Sequence, residues 1–208
     1  MLNKKKLLTG WEAITDEFLR LYPDAEQKNY ATKLSWEMGG NDPLPEITAF
    51  DDKENNCWHF VTYGLTELYE KESEDKKTSG YGMEFTIRLK KNCYIDEEQE
   101  IINICCILQS LARLTFENGE VFEPYEYVYT GQTNGIDNGQ KSKITGFITI
   151  PDIKAQPLKT AFGDMEFVQF IGVTDSELKA IINEKITVRQ LYEKLGSDLT
   201  DYKRKPVI

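Results

Sequence analysis

An α+β fold is what this chain of 208 residues predicts: a largely antiparallel mixed sheet packed against helices, with one long buried central helix. Three observations lead there. Two runs, Cys57–Tyr63 and Ser79–Lys90, have strand character, the first apolar on both faces and the second alternating with period two. Ile101 to Phe116 is apolar nearly all round at helical spacing, as in a helix lying across a sheet. Thr9, Thr174 and Thr187 each stand three residues before Glu or Gln, and each opens an amphipathic segment as a capping box does. No internal repeat or linker interrupts the pattern. One domain over 1–208 is expected, with its core at about 11–195 and a frayed tail at 196–208.

In chain order, Thr9 and Glu12 start a helix whose apolar face is Trp11, Ile14, Phe18 and Leu21, and Pro23 ends it. A strand is expected near Ala31–Trp36. Gly39 to Pro45 is a loop, Ile47–Phe50 a short strand and Asp51–Asn56 an exposed turn. Cys57–Tyr63 belongs inside the sheet. Gly80 and Gly82, flanking Tyr81, suggest a bulge at the entrance of the next strand. There Met83, Phe85, Ile87 and Leu89 point inward, and Glu84, Thr86, Arg88 and Lys90 form a polar outer row. Acidic residues from Asp96 to Glu100 favour the positive end of the long helix, and Asn118-Gly119 stops it. Its buried stripe is Ile101, Ile104, Cys105, Leu108, Leu111, Ala112 and Thr115, widened by Ile102, Cys106, Ile107 and Leu114. Strands are expected at Tyr125–Thr130, Ile144–Ile150 and Glu166–Val173. Gly131–Lys143 is a turn-rich loop and Pro151–Gly163 an irregular tract.

Aromatic residues are plentiful, with 11 Tyr and 10 Phe, and no apolar run reaches the length of a membrane helix. The basic start, Met1 to Lys6, lacks the apolar stretch of a signal peptide, so a cytoplasmic location is expected. The cysteines agree, reading as buried thiols of a reducing compartment: Cys57 and Cys93 stand alone, and Cys105 and Cys106 diverge on a helix. One histidine and scattered cysteines do not make a zinc site, and no cofactor is expected. The formal net charge is −10, from 25 basic and 35 acidic residues, which argues against nucleic acid as a partner and suits a basic protein.

His59 is the obvious acid–base residue, yet no nucleophile elbow, zinc-binding helix or phosphate loop accompanies it. By alternation it shares a face with Cys57, Val61 and Tyr63, so it reads as a hydrogen-bonded core or sheet-surface histidine, and the chain as non-catalytic. Glu84 and Arg88 lie about 13 Å apart along one strand, so each pairs across to a neighbour. Three acidic clusters remain: Asp51, Asp52 and Glu54; Glu70, Glu72, Glu74 and Asp75; and Asp96 to Glu100. The first two clusters, with Glu84 and Arg88, are the candidate partner-binding residues. Solvated loops without a partner are the plainer alternative.

Five motifs occur in order: Gly39–Leu44, Trp58–Tyr69, Ser79–Lys90, Leu108–Arg113 and Thr160–Leu178. Together they resemble the Suppressor of fused family from about Trp11 to Leu195. In animals that family regulates Hedgehog signalling by clamping a short strand of a Gli transcription factor between two domains. The resemblance covers only the N-terminal one, so neither the clamp nor Gli binding is implied here. Single-domain bacterial members are associated with polymorphic toxin systems and look like immunity proteins, often against nucleases. The resemblance thus implies a protein partner, a cognate basic toxin domain neutralised by stoichiometric occlusion, with no nucleic acid, membrane or small-molecule substrate. A regulatory scaffold taking an extended peptide at a sheet edge is the alternative.

Overall fold

The computed structural model describes residues 7–91 and 96–208. The expectations for Met1–Lys6 and Cys93 lie outside them. The element order is α1 (Gly10–Leu21), β1 (Gln27–Ala31), β2 (Glu46–Asp52), β3 (Cys57–Tyr63), β4 (Thr78–Lys90), α2 (Glu97–Asn118), β5 (Tyr127–Tyr129), β6 (Ile144–Pro151), β7 (Leu158–Thr160), β8 (Gly163–Thr174), α3 (Asp175–Ile182) and α4 (Val188–Leu195). One eight-stranded sheet runs β1-β2-β3-β4-β8-β6-β5, with β7 paired to β8. All pairings are antiparallel except β4 with β8.

Strand alternation sorts the side chains onto two faces. On one, Phe60, Met83, Phe85, Ile87, Leu89, Phe147 and Phe170 pack beneath α2. On the other, Phe50, Val61, Tyr63 and Phe167 meet Ile14 and Phe18 of α1, while Ile148, Ile150, Ile171 and Val173 meet α3 and α4. The domain is therefore three layers, with α2 on one side and α1, α3 and α4 on the other.

Local chemistry explains the element ends. All three expected capping boxes form, at Thr9, Thr174 and Thr187. Asp96 caps α2 by accepting from the Gln99 N–H, and Gly119 in the left-handed conformation closes it. The seven-residue buried stripe of α2 is fully buried as expected. Ile107 is half-buried and packs against the core cluster as expected, whereas Ile102 is half-buried outside it and Cys106 and Leu114 are exposed, so these three form a surface ridge. The expected irregularity at Gly80 and Gly82 is a register shift between Thr78 and Met83.

Other expectations need correction. The first strand lies at Gln27–Ala31, and Trp36–Met38 is a short 3₁₀ turn, because Ala31 pairs with Glu46 and the chain then leaves the sheet. Asp51 and Asp52 are not in an exposed turn: they finish β2 opposite Trp58 and Cys57. The tract after Pro151 contains a short strand. The outer row of β4 is not outer, since Glu84, Thr86 and Arg88 are all buried. Nor does the tail fray. Thr200 bridges Leu89, and its Oγ1 accepts from the Gly172 N–H, so the tail fills the gap where β4 and β8 part beyond Ile87 and Phe170.

Candidate functional site

The residues singled out in sequence separate into a sealed interior and an exposed loop. The interior part is a polar seam on the second face of the sheet, between the apolar cluster of α1 and that of α3 and α4. Arg88 is its cation. It ion-pairs with Asp52 of β2 at 2.8 Å and with Asp198 of the tail, and Gln169 Nε2 donates to the Asp198 carbonyl at 2.6 Å. Asp52 also accepts from the Asn55 N–H and side-chain amide. Burial alone would raise the Asp52 pKa, but the bonds from Asn55 and Arg88 outweigh it and hold the carboxyl below its usual value.

His59 lies in the same seam. Its Nε2 is 2.9 Å from Asp152 Oδ2, its Nδ1 is 2.8 Å from the Tyr22 hydroxyl, and Thr86 Oγ1 donates to Asp152 at 2.6 Å. The ring is fully buried against Phe18, so it touches no surface from which a substrate could be reached. The Cys57 thiol alongside is pushed up to about 12, first by burial. Glu84 sits further along β4 and accepts from Thr62 Oγ1, the Gly64 and Thr66 N–H groups and Thr66 Oγ1. Burial pushes it up to about 7 against those four donors. Of the expected contact residues, then, Asp52, Glu84 and Arg88 serve the interior. Asp51 is buried beside Lys91 Nζ, which lies over the Trp58 ring.

The exposed part is the insert between β3 and β4. Glu70, Glu72, Glu74 and Asp75 are all exposed there, and Glu54 is exposed on the turn before β3. Tyr69 is 67% exposed and stacks on Trp11 of α1 with centroids 5.7 Å apart. The backbone beneath is held by Glu67, which sequence reasoning missed. Its Oε1 accepts from the Glu72 and Ser73 N–H groups at 2.7 and 2.6 Å, and its Oε2 from the Gly80 N–H and Lys71 Nζ. Gly80 is required at the exit: its φ is +53°, and a Cβ there would stand 2.6 Å from the Leu65 carbonyl oxygen. Only a weak signal existed: Glu67 stands between Leu65 and Leu68 at the entrance of the polar loop, apart from the acidic run that starts at Glu70.

Burial would raise the Glu67 pKa, but the bonds from Lys71, Ser73, Glu72 and Gly80 together lower it to about 2. A depressed carboxyl stabilises the fold above its unfolded value, near 4.5, and loses that contribution as pH falls through about 2. Glu67→Gln is therefore expected to cost about 1–3 kcal/mol at neutral pH. In urea melts the gap from the parent protein narrows steadily below pH 4.5; a gap constant with pH would contradict the anchor.

The geometry defines a three-layer α+β domain with its ionisable core sealed and its free charge displayed on a braced loop. The chain belongs to the Suppressor of fused protein (SUFU) family, whose profile matches residues 40–205. The mouse and human Suppressor of fused homologs are each 30% identical to it over 181 residues, covering 81% of this chain and 36% of theirs. The chain thus spans little more than a third of these curated relatives. Among solved structures, the Sufu–Fu complex superposes with a TM-score of 0.80 at 25% identity, covering 97% of this chain and 93% of that one. Drosophila Suppressor of Fused gives 0.79 at 23% identity, covering 97% of this chain and 52% of that one. A SUFU homolog from Neisseria gonorrhoeae FA 1090 gives 0.60 at 15% identity, covering 95% and 96%, and shares the fold. Among the described residues, no helix is long and apolar enough to cross a membrane.

Proposed function

We propose that this chain is a non-catalytic protein-binding domain that neutralises a basic toxin domain by occluding it, as a bacterial immunity protein does in the cytoplasm. The observation that carries this reading is the insert: an exposed tyrosine and four exposed carboxylates on a backbone braced by Glu67. An aromatic anchor with a charged surround, already ordered before binding, is what a tight interface needs. The net charge of −10 adds long-range attraction to a basic groove. One solved relative is itself a protein complex, Sufu–Fu. His59 takes no part beyond structure, because it is sealed between Tyr22 and Asp152.

The test is co-expression with the product of the adjacent gene, followed by calorimetry on the purified pair. Rescue of growth, a one-to-one stoichiometry of the two chains and affinity that falls with salt are expected. Replacing Glu70, Glu72, Glu74 and Asp75 with lysine is expected to weaken binding at least about 100-fold, by the worth of close charge pairs across an interface. Unchanged affinity in that variant would move the interface elsewhere. A second reading, a regulatory scaffold that takes an extended peptide, is favoured by the outer edge of β5, the last strand of the sheet, on which Tyr127 and Tyr129 are exposed.

A further inference from the structure

On the side of the sheet facing α2, one helix covers a sheet much wider than itself. Seven strands in sequence span about 29 Å at their usual spacing, whereas a helix with its side chains is about 10–12 Å across. Grooves of about 520 and 640 Å³ accordingly flank α2, one toward β1 and one toward β5. Cys106 and Ser110 border both. Apolar side chains stand exposed along them, Leu34 in the first and Leu114 in the second.

Charge decides what can cover this face. The chain carries −10 overall, yet the charged residues lining the two grooves are Lys33, Arg113, Asp42 and Asp137, which cancel. A neutral, apolar face is where two copies of a strongly acidic protein can meet without bringing their charge together. The outer ridge of α2 also complements itself. If two α2 helices cross antiparallel at Ser110, Leu114 of each lies opposite the small Cys106 of the other, Arg113 opposite Ile107, and Glu117 opposite Asn103. The exposed Leu114 thus meets a smaller side chain, and no like charges are opposed at these three positions.

We infer that the α2 face is a self-association surface, on which two copies of this chain pair about a two-fold axis at Ser110, each Leu114 entering the groove beside Cys106 of the other. Such an isologous contact closes at two subunits. It leaves the acidic insert free, because Tyr69 rests on α1, on the opposite side of the sheet from α2. A dimer would therefore offer two inserts, and a two-to-two complex is the assembly expected with a partner bound there.

Sedimentation of the whole chain at rising concentration, with no partner added, tests the pairing. A monomer–dimer equilibrium is expected in the parent protein and a monomer at every concentration in Leu114→Arg. Because Leu114 is exposed, that variant should keep the parent's circular dichroism. A second measurement fixes the axis. In a Cys106→Ser background, Ser110→Cys should form an intermolecular disulfide in a glutathione buffer, since facing Cα atoms of close-packed helices fall within disulfide range, whereas Glu117→Cys should not. A parent that stays monomeric throughout, a dimer that survives Leu114→Arg, or cross-linking no faster at 110 than at 117 would each overturn the inference.

Discussion

Arg88→Leu is expected to cost about 3–5 kcal/mol of folding stability, the usual loss when one partner of a buried ion pair is removed. The reason is the company Arg88 keeps. Asp52 and Asp198 both turn their carboxylates to its guanidinium, and among the described residues neither bonds another cation. Without Arg88, two anions are left beside Asp152 in a largely buried seam. Denaturant melts of Arg88→Leu measure the loss. Adding Asp52→Asn and Asp198→Asn is expected to restore part of it, because the orphaned charge is then gone. If the three changes were simply additive, the seam would not be the coupled unit described above.

Glu177→Ala is the second large effect, also about 3–5 kcal/mol, since it strips a fully buried carboxylate from Arg204. Both oxygens of Glu177 accept from Arg204, at 2.7 and 2.6 Å, and they also take the Val207 and Thr174 N–H groups. One side chain thus caps α3 and clips the tail. The measurement is limited trypsin digestion. In the parent protein, Lys203 and Arg204 should resist cleavage, while in Glu177→Ala they should be cut before any site in the core. Burial would raise the Glu177 pKa, but Arg204 and the backbone bonds lower it. The clip therefore holds at neutral pH and weakens only as acid protonates the carboxyl.

The two variants also mark where sequence reasoning succeeded and failed. Capping boxes, the buried stripe of α2 and the stop at Gly119 were legible because each is set by residues within a turn or two. The seam was not. Alternation along β4 shows that its two faces differ, not that the second is open to water. A polar row over solvent and a polar row under a helix look the same in sequence. The correcting signal lay one strand away: β3 is apolar on both faces, and a neighbour in the same sheet must share its cover. Asp51 and Asp52 were misplaced for a similar reason, since an acidic run reads as a turn until its cations, Lys91 and Arg88, are known. Of the exposed loop, the acidic residues could be read directly. Its stiffness could not, because that comes from Glu67 bonding to groups up to thirteen residues away.

The tail's place between β4 and β8 also bears on how the protein is made. A ribosome delivers β4 long before β8, so their parallel pairing waits while the chain between them is synthesised. Even then the pair stays open at one end until Thr200 and Tyr202 emerge, the latter to bond Glu100 on α2. Closure of this domain therefore waits until Thr200 and Tyr202 have been synthesised and can reach Leu89 and Glu100. Until then the nascent chain presents an unfinished sheet edge, and it is during that interval that it most needs a chaperone's cover.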